Sequence, residues 1–104
     1  MNCDFLIKRI SSLRKIKGVS EYQMSLELGQ DCNYIENITA ENHNLSISEF
    51  FALCKYFEIT PSDFFDESIQ NPILLRKLLN NMKSLNEDDM FMLDEIIQRL
   101  KKTK

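Results

Sequence analysis

Apolar residues recur along this chain at intervals of three and four, and caps and glycines punctuate the repeats. Leu6, Ile10, Leu13 and Ile16 fall on one helical face, with Lys8, Arg9, Arg14, Lys15 and Lys17 between them. This pattern predicts an amphipathic first helix that ends at Gly18, a residue suited to the left-handed cap position. Ser20-Glu21-Tyr22-Gln23 reads as a capping box, so a second helix runs to about Leu28 and stops at Gly29. Asp31 is the expected N-cap of a third helix carrying Tyr34, Ile35 and Ile38. The stretch from Glu41 to Asn44 has no apolar residue and reads as a loop.

A second capping box, Ser46-Ile47-Ser48-Glu49, opens a fourth helix whose Ile47, Phe50, Cys54 and Phe57 make one apolar stripe. Thr60-Pro61-Ser62-Asp63 starts a fifth, with proline at the first helical position, where its missing N–H costs nothing. Phe50, Phe51, Phe57, Phe64 and Phe65 are read together as core packing. Asn71-Pro72 repeats the cap-then-proline signal and predicts a sixth helix over Ile73–Lys83. A seventh follows Asn86, with Glu87, Asp88 and Asp89 at its start and Lys101, Lys102 and Lys104 at its end, as the helix dipole prefers. Its stripe is Met90, Leu93, Ile97 and Leu100. No segment alternates like a strand, so the fold class is all-α.

Composition narrows the class further. Hydrophobic residues make up 43% and charged residues 28% of the 104 positions, which suits a packed domain rather than a disordered chain. The three cysteines, Cys3, Cys32 and Cys54, are odd in number and lack metal-knuckle spacing, so they read as reduced thiols of a cytoplasmic protein. No apolar run approaches ~18 residues, so no membrane span is expected. Met1-Asn2-Cys3-Asp4 has no signal-peptide character. No nucleophile, base and orienting acid stand together, and no glycine-rich phosphate loop occurs; the reading is non-enzymatic, with no catalytic residue, cofactor or metal site. His43 is a lone loop histidine, and Cys32 is placed on the exposed face of the third helix.

The second and third predicted helices carry a specific constellation. A helix-turn-helix needs a small residue where its helices touch, met by Ser25, and a glycine where the chain turns through positive φ, met by Gly29. Ile35 and Ile38 supply the buried aliphatics. Together with Arg14…Gly18-Val19-Ser20, Met24-Ser25…Leu28-Gly29 and Ser46-Ile47…Leu53…Phe57…Ile59-Thr60-Pro61-Ser62-Asp63-Phe64-Phe65, these residues resemble the Cro/phage-repressor (XRE) helix-turn-helix family over about Phe5 to Asp66. The resemblance implies a five-helix, lambda-repressor-like domain at 1–68, followed by two C-terminal helices at 69–104. It also implies a transcriptional regulator that occupies operator DNA as a homodimer, with the third helix in the major groove. Carried across by position, the base-facing residues are Cys32, Asn33, Glu36 and Asn37. Ser20, Tyr22, Asn42, His43 and Asn44 then lie toward phosphates. Asn suits adenine and Glu suits the cytosine amino group.

Charge qualifies that expectation. Glu21 stands where the family usually has Gln, and Thr39-Ala40-Glu41 stands in place of Glu-Asn-Gly. No Lys or Arg occurs between Lys17 and Lys55. Residues 1–17 carry five bases against Asp4, a net +4, while 18–70 carry Lys55 against ten acids, a net −9. Phosphate contacts by cations are therefore left to Lys8, Arg9, Lys15 and Lys17 or to the C-terminal lysines. Arg14 is expected in a structural ion pair. The alternative function is a helix-turn-helix scaffold whose acidic face binds another, basic protein. Leu74, Leu75, Leu78 and Leu79, with the stripe of the last helix, either pack back on the domain or form a dimer interface.

Overall fold

The computed structural model describes residues 3–102. Of the positions singled out from the sequence, Met1, Asn2, the Cys3 side chain and Lys104 lie outside the described residues. Seven helices follow one another: α1 (Cys3–Lys17), α2 (Glu21–Glu27), α3 (Tyr34–Thr39), α4 (Ile47–Phe57), α5 (Pro61–Phe65), α6 (Pro72–Met82) and α7 (Glu87–Lys102). The chain is all-α over the described residues, as its periodicity predicts. None of these helices is long and apolar enough to cross a membrane.

The caps act largely where the sequence puts them. Ser20 accepts from the Gln23 amide at 3.0 Å, but Gln23 turns its side chain to Glu27 rather than back to the cap, so only half of that box forms. Both halves form at Ser46–Glu49 and at Thr60–Asp63. Asn71 and Asn86 cap α6 and α7 through their side-chain oxygens. Gly18 and Gly29 sit at φ +77° and +75°, conformations that a side chain would strain. The start of α3 departs from expectation. Asp31 lies outside the helix and accepts the Tyr34 amide through its backbone carbonyl, and the N-cap position falls to Asn33, whose side chain makes no cap bond.

The core gathers Ile10 and Leu13 from α1, Met24 from α2, Ile35 and Ile38 from α3, Leu53, Cys54 and Phe57 from α4, Ile59, and Phe64 from α5. Burial against a second element is what stabilises helices this short, since isolated helices of 5–7 residues do not persist in water. The stripe expected on α4 fails at its first member. Ile47 lies on the helix's first turn at the rim of a surface hollow shared with Leu6, Phe50 and Phe65, and is 75% exposed. Phe51 and Phe65 are also exposed, leaving Phe57 and Phe64 as the buried phenylalanines of the expected set and Phe50 partly buried between Phe64 and Phe65.

Two arginines hold the first helix in place, neither as expected. Arg9, read as a rim cation, is buried: Nε donates to the Phe64 carbonyl at 2.8 Å, and one terminal nitrogen donates to the carbonyls of Asp63 and Asp66. It satisfies the orphan carbonyls at the end of α5, which has no further turn to receive them. Arg14 forms no ion pair among the described residues. Instead it donates to the Val19 carbonyl at 2.8 Å, bracing the Gly18 turn.

The C-terminal helices sit differently from the rest. Arg76 grips Asp63 with two bonds of 2.9 and 3.0 Å, joining α6 to the α5 capping box. Beyond it, α6 buries only Pro72 and α7 buries nothing. The molecule is elongated accordingly, 50 × 27 × 23 Å. Of the leucines expected either to pack back as extra core or to form a dimer interface, Leu74, Leu75 and Leu78 are exposed and Leu79 is half-buried, while Ile73 beside them packs against the core.

Candidate nucleic-acid interface

Ser25 organises the crossing of α2 and α3. It is fully buried, and its hydroxyl donates to the Glu21 carbonyl at 2.7 Å while accepting the Ile35 amide at 3.0 Å. One small side chain thus fills the contact between two backbones and satisfies an amide at the start of α3. A larger residue would push the helices apart. The chain between them turns at Gly29, and Ile35 and Ile38 anchor α3 to the core.

With that face buried, the opposite face of α3 is open. Cys32, Asn33, Glu36 and Asn37 are all exposed. The Cys32 thiol donates to the Asn33 carboxamide oxygen at 3.8 Å. Glu21 reaches across to accept the Thr39 hydroxyl at 2.9 Å, so the start of α2 lies beside the end of α3. This carboxylate is turned into an interhelix tie, a role its type did not suggest. Ser20 and Tyr22 flank it and are exposed, as are Asn42, His43 and Asn44 in the following loop. That loop folds back on α3, the Asn42 amide donating to the Asn37 carbonyl at 2.8 Å. The Ser20 hydroxyl is already engaged as a cap.

His43 is held more firmly than a lone loop histidine implies. Its Nε2 lies 2.7 Å from a Glu49 carboxylate oxygen that also accepts the Tyr34 hydroxyl, and its ring meets the Tyr34 ring edge-on at 5.4 Å. The Tyr34 hydroxyl, His43 and the Ser46 amide hold the Glu49 carboxyl down at about 2. A parallel pair joins the Tyr56 hydroxyl to Glu27, whose carboxyl is lowered first by that bond and then by Gln23. Burial, then the glutamate partner, pushes both phenols well above their ordinary value. Three glutamates around α2 and α3 are therefore held by hydroxyls, amides and one histidine, with no lysine or arginine bonded to any of them among the described residues.

The cations near this face are few. Lys8 shares a shallow hollow with Thr39, Ala40 and Glu41 at the end of α3. Lys17 lies over the Tyr56 ring at 4.6 Å, and Lys15 is exposed. Arg9 is withdrawn into the interior. Compared with protein-family models, curated proteins and solved structures, the chain returns no match.

The clusters that sequence reasoning missed had uneven signals. Arg9 shares a helical face with Leu6, Leu13 and Ile16, a position that marks a buried arginine. Glu49 is visible as a capping residue, but nothing in the spacing links it to Tyr34 or to His43, because an irregular loop intervenes.

Proposed function

We propose that this chain is a helix-turn-helix transcriptional regulator of the Cro/phage-repressor type that binds double-stranded DNA through α3, as a homodimer on a two-fold symmetric site. The observation that carries this reading is the Ser25 crossing. It buries one face of α3 against a positive-φ turn and leaves Cys32, Asn33, Glu36 and Asn37 open together. Asn33 and Asn37 offer amide pairs suited to adenine, and Glu36 offers an acceptor for cytosine. Tyr22, Asn42 and Asn44 would lie toward the backbone, and Lys8 beside Thr39 and Glu41 supplies the neighbouring positive charge. Selection from a randomised duplex library tests this. Enrichment of a palindromic motif supports it, and recovery of no motif from folded protein overturns it.

One observation favours a second reading. Glu21, Glu27 and Glu49 accept hydrogen bonds from uncharged hydroxyls, and no lysine or arginine is bonded to any of them among the described residues, so the surface around α2 and α3 is acidic. Such a face suits a basic protein partner, which electrostatic complementarity would select. Selection from the randomised duplex library separates the two: a DNA reader enriches a motif, and an acidic-faced adaptor enriches none.

A further inference from the structure

The exposed apolar surface of this protein is concentrated on its last two helices. Leu74 and Leu78 on α6 and Met90, Ile97 and Leu100 on the stripe of α7 are each 40–58% exposed. Exposed apolar helix faces of this kind mark protein–protein contacts.

The pattern on α7 selects the occupant. Its stripe is Met90, Leu93, Ile97 and Leu100, with spacings of three, four and three, so it reads the same in both directions about Glu95. An antiparallel copy of the same helix would therefore set Met90 against Leu100 and Leu93 against Ile97 in every layer. The charges obey the same symmetry. Glu87, Asp88 and Asp89 fill the first turn, and Arg99, Lys101 and Lys102 fill the last. Antiparallel pairing lays each acidic end beside a basic end, whereas parallel pairing sets like against like at both ends.

We propose that α7 pairs antiparallel with α7 of a second copy of this chain, about a two-fold axis at the level of Glu95, with the exposed α6–α7 face as the dimer interface. The contact is isologous, so it closes at two copies and cannot propagate. Apolar burial supplies the affinity, and the end charges set orientation, since exposed ion pairs add little stability themselves. This interface stands whether or not the α3 face reads DNA.

Sedimentation equilibrium of the full chain across a concentration series is the test. A mass of twice 12.3 kDa is expected for the wild type. Ile96→Asp combined with Ile97→Asp should weaken association at least ~10-fold, while circular dichroism shows that the helices remain. Orientation is read by disulfide cross-linking in a Cys3→Ser, Cys32→Ser background. An equal mixture of Met90→Cys and Leu100→Cys chains should give the mixed product over either self-linked product. A monomeric wild type overturns the proposal, as does preferential self-linking of the Leu100→Cys chain. If the double aspartate variant unfolds, the cross-linking result decides by itself.

Discussion

A serine hydroxyl with two backbone partners does more to define the candidate site than any charged group in the chain. Replacing Ser25 with Ala leaves the buried Ile35 amide without an acceptor, which costs about 1–3 kcal/mol. Thermal unfolding should then fall by several degrees while the helical signal before the transition is unchanged. Glu49 makes a second prediction at this scale. Its carboxyl is depressed to about 2 in the folded protein, so its contribution to stability is fully present above its ordinary value of 4.5 and is lost as pH falls toward 2. In acid titrations by circular dichroism, the stability gap between wild type and Glu49→Gln should be constant above about pH 5.5 and close as pH approaches ~2. A gap that persists at the acid end would contradict the Tyr34–Glu49–His43 cluster. Residues of this kind divide sharply in how well the sequence announces them. Ser25 and Gly29 are legible because steric need fixes residue type. Arg14 and His43 are not, because their partners are a backbone carbonyl and a carboxylate that the spacing does not bring together.

Helix boundaries were legible wherever a cap closes a box within four residues, as at Ser46 and Thr60, since local geometry decides them. The start of α3 was not, because a backbone turn at Asp31 competes with side-chain capping there and wins. The apolar stripe of α4 misled at Ile47, since periodicity says which face is apolar but not which of its members a neighbouring element covers. For α6 the decisive feature is a tertiary contact. Arg76 is the bidentate link from this helix to Asp63, and Asp63 in turn caps α5. Arg76→Gln should therefore speed amide hydrogen exchange across Pro72–Met82 and leave α1–α4 protected as in the wild type. Equal loss of protection throughout the chain would show that α6 is integral to the core rather than held by this link.

At the scale of the molecule, the chain combines an acidic domain with an apolar C-terminal pair of helices. The buried α2–α3 crossing presents amide side chains outward, and the antiparallel α7 pairing proposed above would supply the two-fold symmetry that paired half-sites require. With Arg9 withdrawn into the interior and Lys8 the cation seated at the end of α3, the proposed binding to DNA should depend only weakly on salt. The central claim is that the open face of α3 reads bases. Fluorescence anisotropy of the selected duplex and a scrambled one, measured with wild type and Asn33→Ala, tests it most directly. Asn33 makes no cap bond, so its truncation leaves α3 intact. The account predicts that discrimination between the two duplexes falls by about 1–3 kcal/mol in the variant, with binding to the scrambled duplex unchanged. Equal discrimination by variant and wild type, or no discrimination by either, would contradict it.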